Sequence, residues 1–339
     1  MGEMTVMTSQ SDTDLHSLFS KALPNLAEVS RRPIKERTWI LDQIIPEGKA
    51  VSLGGPPGAG KSLLAQTICM AASRGMELFG FPTLARPTLY LTCEDDIDKL
   101  HRRAVAIARN LGKPTSDFTD AYAVSLEGIT NTSLCLKDGA TTKFYKLLEE
   151  TISNYEIGLV VLDVVSDYWD GNEIIRQEVN HFVKGVIGSL ACRQQVAIML
   201  LYHPSVQGKI SGDGQSGSTA WEGSVRSRLY LNEDKNGVRE LSVKKSNYSE
   251  RRSINLTWSE GAFGLTDDRF FDPALKDGGR QELGRHASNI LAMLKESGGE
   301  ASYSEISKRF GAKPTSDGVK ALINRGLAKR DNGLVYLND

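Results

Sequence analysis

Short apolar runs alternate with amphipathic stretches through the middle of the chain, a pattern that predicts strands separated by helices. The apolar runs are AVSLGG (50–55), TLYLTCED (88–95), GLVVLDVVSD (158–167) and VAIMLLYHP (196–204). Helical periodicity lies between them in LLAQTICMAASRG, DIDKLHRRAVAIARNLG and EIIRQEVNHFVKGVIGSLACRQ. Because strands that alternate with helices form parallel βαβ units, the pattern predicts an α/β domain with a mainly parallel sheet. Further strands are predicted in SVRSRLYL, RELSVKKSNYS and NLTWSEGAFGL.

The remaining segments divide the chain into four predicted regions. An N-terminal arm (1–34) is expected to be partly disordered, with a short amphipathic helix in 14–30 that Pro24 breaks. The α/β domain (35–265) follows, and it contains a Gly/Ser-rich stretch at 205–219 that predicts a mobile loop. A polar linker (266–284) leads to a small C-terminal unit (285–339).

The C-terminal unit has the pattern of a winged helix-turn-helix. RHASNILAMLKES is amphipathic, and SYSEISKRF and TSDGVKALINRG predict two further short helices. The second helix opens with a serine cap and Glu305 three residues on. LAKRDNGLVYL predicts a hairpin with an Asn-Gly turn. Three short helices and a terminal hairpin are typical of this DNA-reading module, although its third helix offers only Lys320 and Arg325 as basic residues.

Composition says more about the cellular environment of the protein than about its function. The formal net charge is −1 and charged residues make up 24% of the chain, so bulk charge gives no reason to expect nucleic-acid binding. The four cysteines have no metal-ligand or CxxC spacing, and Cys69, Cys93 and Cys192 lie in apolar elements, which predicts buried, reduced thiols. With no signal-like apolar core and no run of membrane-spanning length, we expect a cytoplasmic protein without membrane contact.

A phosphate-binding loop is the most specific motif. The sequence GPPGAGKS at 55–62 matches GxxxxGK[ST] at every fixed position, follows an apolar strand and opens a helix. Its glycines let backbone N–H groups surround phosphates, and the helix N-terminus adds a positive dipole. The motif predicts an ATPase in which Lys61 reaches the β- and γ-phosphates and Ser62 ligates Mg²⁺. The candidate nucleotide-binding residues are Gly55, Pro56, Pro57, Gly58, Ala59, Gly60, Lys61, Ser62 and Leu63.

Three polar residues stand at predicted strand ends, where ligands bind in parallel sheets. Asp163 ends LVVLD and is the natural second partner of Mg²⁺, the alternative being a helix N-cap. Glu94 ends TLYLTCE and could polarise the attacking water, but with Asp95 and Asp96 it could equally favour the start of the next helix. His203 could sense the γ-phosphate or be an ordinary solvated loop residue.

The order of these segments resembles a known family. GGPPGAGKS, YLTCEDD with HRR, LVVLD, LLYHPS, GSTAWEGSVRSRLYL and VKKSNYS together look like the RepA-type, RecA-fold hexameric helicases, AAA family ATPases of plasmids and mobile elements. These are related to the DnaB replicative helicases. The resemblance covers roughly residues 35–265 and implies a RecA-like P-loop NTPase. The family often has Arg-Gly-Ser where this chain has SGS at 216–218, and the C-terminal unit lies outside the minimal family core.

The resemblance implies roles for individual residues. Glu94 takes the place of the catalytic base and His203 that of the phosphate sensor. Arg226 falls where the family carries an arginine that reaches the neighbouring subunit's nucleotide. Arg103 and Tyr248 would flank the adenine.

Less specific candidates are also implied. Lys245 is a weaker candidate for a phosphate contact across the subunit interface. For Arg226 and Arg228 the alternative is that both are ordinary exposed strand residues, and for Arg103 and Tyr248 it is ordinary surface contact.

Two classes of function follow. The first is an ATP- and Mg²⁺-dependent DNA motor, a homohexameric helicase with single-stranded DNA in a central channel and a replication-initiation partner. The Gly/Ser loop at 205–219 would then face the channel. The second is an ATP-dependent DNA-binding regulator or assembly switch without unwinding activity, in which the C-terminal unit contacts DNA or protein.

Overall fold

The computed structural model describes residues 25–204, 220–234, 237–266, 285–324, 328–331 and 333–337. Contacts divide the chain into two compact units, residues 1–37 and 38–339. Among the described residues of the first unit, 25–37, Leu26–Val29 form helix α1, which Asn25 caps through its side chain. This helix lies in the part of the predicted 14–30 segment that follows Pro24. The part up to Pro24 falls outside the described residues. The predicted channel loop at 205–219 and most of the predicted linker also fall outside them.

The second unit contains fourteen strands among its described residues. They are β1 Trp39–Leu41, β2 Ile45–Pro46, β3 Ala50–Gly54, β4 Thr88–Thr92, β5 Ala121–Ser125, β6 Leu159–Asp163, β7 Ala197–Tyr202, β8 Ser227–Glu233, β9 Arg239–Ser246, β10 Ser253–Ser259, β11 Ala262–Leu265, β12 Glu300–Ser302, β13 Ala328–Asp331 and β14 Leu334–Leu337. The helices are α2 Lys61–Ser73, α3 Ile97–Asn110, α4 Lys143–Asn154, α5 Arg176–Asn180, α6 Gly188–Gln194, α7 Ala220–Ser224, α8 Arg285–Glu296, α9 Tyr303–Phe310 and α10 Ala312–Asn324.

A nine-stranded sheet organises the larger part of this unit. Its strand order is β11-β10-β9-β8-β3-β7-β6-β4-β5. Strands β3 to β8 are parallel to their neighbours, and β8 to β11 are joined in antiparallel pairs. The predicted mainly parallel sheet is confirmed. Strand β7 separates β3 from β6, so the phosphate loop and Asp163 leave the same edge of the sheet one strand apart.

The central strands are buried on both faces, which explains their continuous apolar sequences. Along β6, Leu159 and Val161 belong to one hydrophobic core, whereas Val160 and Leu162 belong to the other. This alternation follows from the two-residue repeat of a strand. The first core includes α2 and α3, and the second includes α4 and α6.

Several predicted elements differ in extent. The run at 158–167 gives a strand only to Asp163, followed by a 3₁₀ turn at Val165–Tyr168. The helix predicted at 173–194 begins at Arg176 and passes through a π-helical segment, His181–Ile187. The prediction that the cysteines are buried is wrong for Cys192, which is exposed on α6.

Strand β5 and helix α4 were not predicted. Strand β5 is at the edge of the sheet and its residues are mostly half-buried, so it lacks a continuous apolar run. Helix α4 buries Tyr145, Leu148 and Ile152, a helical spacing that the sequence does contain, and Thr142 caps it.

The C-terminal residues form a small helical cluster with a sheet of its own. Strands β12, β14 and β13 make a three-stranded antiparallel sheet in that order, in which β13 and β14 form the predicted hairpin. The predicted cap of α9 is present as a reciprocal pair between Ser302 and Glu305. A separate hydrophobic core, which includes Ile290, Ile306 and Leu322, holds the helices against this sheet. Within the described ranges, no helix combines the length and apolar character that a bilayer span requires.

Candidate active site

The phosphate loop connects β3 to α2 at the carboxyl edge of the parallel strands. Gly60 precedes the first helical residue with a φ of 98°, a left-handed conformation that favours glycine. A side chain at Gly60 would also collide with the ring of Phe263 on β11. At the strand end, a side chain at Gly54 would collide with the Tyr202 ring. Gly60 is therefore required by close packing as well as by backbone geometry, and Gly54 by close packing.

Lys61 is buried at the start of α2 with its ammonium group turned onto the loop. Its Nζ donates hydrogen bonds to the carbonyls of Gly55, at 2.9 Å, and Pro56, at 3.2 Å. It also lies 3.2 Å from Nδ1 of His203, which must accept because an ammonium only donates. The structure thus brings together two residues that were singled out separately. Because charged acceptors make stronger hydrogen bonds than carbonyls, phosphate oxygens would compete for the same ammonium.

Tyr90 of β4, which the sequence did not single out, is a neighbour of both Asp163 and Ser62. Asp163, the last residue of β6, is 2% exposed, and its Oδ2 accepts a hydrogen bond from the Tyr90 hydroxyl of β4. Ser62 is a further polar neighbour of that hydroxyl. Burial, followed by the negative charge of Asp163, raises the pKa of Tyr90, which keeps the phenol protonated and able to donate.

This arrangement fits a magnesium ion. In the described part of the chain, Oδ1 of Asp163 is buried without a hydrogen-bond partner. A hydroxyl and a carboxylate are oxygen ligands of the kind Mg²⁺ takes, and Mg²⁺ usually needs only one or two protein ligands beside phosphates and water. Accordingly, the described residues hold no cluster of three or more His, Cys, Asp or Glu able to bind a metal.

Glu94 follows β4 at the same edge, and its side chain is exposed. Partial burial is the main cause that raises the pKa of Glu94, and the negative charges of Asp163, Asp167 and Asp95 raise it further, against a lowering by Lys99. A carboxylate with a raised pKa is a better proton acceptor than an ordinary glutamate. Its environment therefore suits a general base.

The two neighbouring carboxylates have structural partners instead. Asp95 is 3% exposed and makes ion pairs with Lys99 and Arg103, one and two turns along α3. Asp96 is the N-cap of α3, where its side chain accepts from the backbone N–H of Lys99 at 2.6 Å. The helix-start alternative considered for all three carboxylates thus describes Asp96, while Asp95 neutralises two basic side chains.

Arg226 lies at the opposite edge of the sheet from the phosphate loop. Val51 pairs with Ser227 and Gly54 with Tyr230, so Arg226 is beside the amino end of β3. Its backbone N–H donates to the Ala50 carbonyl at 3.1 Å, while its side chain is exposed. At about 3.3 Å per residue, Arg226 is about 13 Å behind the level at which β3 enters the loop.

Arg228 and Lys245 are bound within their own chain. The guanidinium of Arg228 is buried, forms an ion pair with Glu222 of α7 and donates to the Tyr202 hydroxyl at 3.2 Å. The alternative that Arg228 is an exposed strand residue is therefore wrong. Lys245 donates to the carbonyls of Glu222, at 2.6 Å, and Val225, at 3.0 Å. Burial and the charge of Arg226 lower its pKa.

The structure does not bring Arg103 and Tyr248 together. Arg103 pairs with Asp95 near the carboxyl edge, whereas Tyr248 follows β9, whose end is at the amino edge beside the start of β8. The expectation that both residues flank one adenine cannot hold within a single chain, because the sheet separates them.

The sequence pattern of the AAA domain family (AAA_25) matches residues 20–209, which is more than half of the chain. The chain belongs to this AAA domain family. Together with the phosphate loop and the mainly parallel sheet, membership makes it a P-loop ATPase with an α/β fold. No curated protein matches the sequence.

Among solved structures, the AAA domain chain is similar to the RadB recombinase, with a TM-score of 0.48 and 12% identity over 65% of this chain and 91% of that one. It is also similar to the KaiC-like protein PH0186 of Pyrococcus horikoshii OT3, with a TM-score of 0.47 and 13% identity over 69% of this chain and 100% of that one. Both are distant likenesses.

Proposed function

We propose that this ATPase is a ring-forming DNA motor, a homohexameric helicase, whose active site is completed by the neighbouring subunit. The observation that carries the proposal is the position of Arg226. It is exposed at the sheet edge opposite its own phosphate loop, and within the described part of the chain its guanidinium has no ion pair. Subunits joined head to tail present one edge of each sheet to the other edge of the next, and such contacts form a ring when the rotation between subunits closes.

In the proposed reaction, Lys61 and the loop N–H groups hold the phosphates, and Ser62 and Asp163 hold Mg²⁺. When bound, Mg²⁺ would neutralise charge on the β- and γ-phosphates. Glu94 orients the attacking water and takes up its proton. Water attacks the γ-phosphorus, the bond to the bridging oxygen breaks, and ADP and inorganic phosphate leave. Arg226 of the next subunit stabilises the charge on the transferring phosphoryl group.

His203 is proposed as the link between phosphate and DNA. It contacts Lys61 and is followed in sequence by the Gly/Ser stretch 205–219, proposed to meet single-stranded DNA in the ring channel. The same stretch leads into α7, which receives hydrogen bonds and an ion pair from Lys245 and Arg228. Loss of the γ-phosphate would thus act through Lys61 and His203 on the start of the proposed DNA-binding segment.

The C-terminal unit is proposed to be a winged-helix module that contacts DNA or a replication-initiation partner. Residues 285–339 hold nine Lys and Arg against six Asp and Glu, whereas the whole chain has 41 against 42. Exposed basic side chains occur on α9, α10 and β13: Lys308, Arg309, Lys320, Lys329 and Arg330. This local excess of basic side chains favours contact with DNA, because phosphate contacts dominate nucleic-acid affinity.

Strand separation tests the motor. The full chain is mixed with a forked DNA duplex and Mg²⁺, with ATP or with a non-hydrolysable analogue, and unwinding is followed by fluorescence. Unwinding that requires ATP and is lost in Lys61→Ala supports the motor, and Lys113→Ala, an exposed lysine beyond α3, is the matched control. If the protein hydrolyses ATP but binds DNA without separating strands, the alternative holds: an ATP-dependent DNA-binding regulator, as the basic C-terminal unit would favour.

A further inference from the structure

Tyr90 contacts Asp163, one of the two residues that would hold magnesium, although 73 positions separate them. Its side chain is 1% exposed, so no water replaces the hydrogen bonds of its hydroxyl. The hydroxyl donates to Oδ2 of Asp163 and has Ser62 as a further neighbour. Strands β4 and β6 are adjacent and pair in register, with Tyr90 opposite Val161 and Thr92 opposite Asp163. The sheet itself therefore determines this contact.

The contact gives the two carboxylate oxygens of Asp163 different surroundings. Oδ2 is bound to a neutral donor, while Oδ1 is buried with no partner in the described part of the chain. A buried carboxylate oxygen without a partner is costly unless a ligand supplies one. With Oδ2 held, rotation of the carboxylate is restricted and Oδ1 is the oxygen left to face a cation or a water bound to it.

We propose that Tyr90 is a positioning residue for Mg²⁺: its hydroxyl orients the Asp163 carboxylate toward the metal. The inference rests on the proposed nucleotide site. Tyr90 acts through Asp163 and touches neither nucleotide nor reacting atoms. Hydrogen-bond partners of metal ligands commonly contribute 10- to 100-fold to metal affinity. A tyrosine that merely filled the core would contribute to stability alone.

Tyr90→Phe tests the inference, because it removes the hydroxyl and keeps the ring. Binding of a fluorescent ATP analogue to the full chain is measured at equilibrium over a range of free Mg²⁺ concentrations and in EDTA. We expect the half-saturating Mg²⁺ concentration to rise about tenfold, with nucleotide affinity in EDTA unchanged. Tyr145→Phe is the matched control, since that buried tyrosine loses a hydrogen bond from Arg193 Nη2, at 2.8 Å, on the far side of the sheet.

Asp163→Asn supplies a second background in which the inference can fail. If Tyr90 acts through the carboxylate, adding Tyr90→Phe to Asp163→Asn leaves the Mg²⁺ dependence where Asp163→Asn alone puts it. A Tyr90→Phe protein that is less stable but has wild-type Mg²⁺ dependence overturns the inference, as does a full additional loss in the double variant. If the wild-type protein binds the analogue with no response to Mg²⁺, the proposed site itself is wrong and the inference is overturned with it.

Discussion

At the residue scale, three consecutive carboxylates at the end of β4 have different surroundings. Asp95 is enclosed by two basic side chains and Asp96 caps α3, whereas Glu94 has no ion pair or cap role among the described residues. Burial and neighbouring acids disfavour its ionised form and so raise its pKa. A proton acceptor is expected to have this environment, whereas a structural carboxylate is expected to be paired.

Glu94→Gln is expected to keep ATP binding and lose hydrolysis by about 100-fold or more, because the amide keeps the size and removes the base. ATP binding is measured by fluorescence and hydrolysis by phosphate release. Asp96→Asn is the control, because asparagine caps a helix as well as aspartate does. Hydrolysis within about threefold of wild type in Glu94→Gln, which is under about 0.7 kcal/mol, would assign the base elsewhere.

The raised pKa of Glu94 also predicts the acid side of the pH profile. A base works only when deprotonated, so activity falls as the pH is lowered through the pKa of Glu94 in the folded protein. Because that pKa is raised, the fall begins at a higher pH than an ordinary glutamate, near 4.3, would give. The quantity to measure is kcat/KM, which reports the free enzyme. An acid limb at or below the ordinary value contradicts the assignment.

Lys61→Ala is expected to abolish hydrolysis, and Asp163→Ala to do so nearly as strongly. Each removes a charge contact at the phosphates or metal, worth about 100-fold or more in rate. Steady-state ATPase assays at saturating ATP measure the loss, with Lys113→Ala again unchanged. Turnover like wild type in purified Lys61→Ala would contradict ATP hydrolysis at this loop.

At the element scale, the features that could be predicted are those whose cause lies in a short stretch of sequence. The phosphate loop is contiguous, and β3 and β7 are continuous apolar runs, so all three could be found from sequence. Strand β5 lies beside β4 at the edge of the sheet and is mostly half-buried, so it has no such run. The contact of Tyr90 with Asp163 depends on the pairing of distant strands, which no local pattern reports.

Some of the missed contacts did have a signal. Lys99 and Arg103 follow Asp95 by four and eight residues, the spacing of one face of a helix. The spacing of four predicts an ion pair between Asp95 and Lys99, and the spacing of eight places Arg103 on the same helix face one turn further on. The role of Arg103 toward the nucleotide came from the family resemblance and stays a prediction.

This helix start leads to a stability prediction. Asp95→Asn leaves Arg103 and Lys99 without their carboxylate, and we expect a loss of about 1–3 kcal/mol in the free energy of unfolding. Asp96→Asn preserves the N-cap and should change it by only a few tenths of a kcal/mol. Urea unfolding of both variants provides the comparison. Equal effects of the two substitutions would mean that the Asp95 ion pairs add nothing to stability.

At the scale of the whole molecule, the C-terminal residues have a core of their own. Ile290, Ile306, Leu322 and Val335 are fully buried there, and the described helices and three-stranded sheet are all local in sequence. We therefore expect a fragment of residues 285–339 to fold alone and to unfold cooperatively. Circular dichroism during thermal unfolding measures this. A fragment without a cooperative transition would show that the unit depends on the larger domain.

The position of Arg226 leads to the last prediction, that the active site is shared between subunits. Because Arg226 and the phosphate loop lie at opposite edges of one sheet, a chain cannot bring its own arginine to its own phosphates without unfolding β8. Lys61→Ala and Arg226→Ala should each be inactive alone. Mixed, they should form some interfaces that pair an intact loop with an intact arginine, so partial ATPase activity should return. Subunit exchange is verified by fluorescence transfer. If subunits exchange and no activity appears at any ratio, hydrolysis needs every interface intact or Arg226 acts within its own chain. Full activity of Arg226→Ala alone would rule out the arginine as a stabiliser of the phosphoryl group.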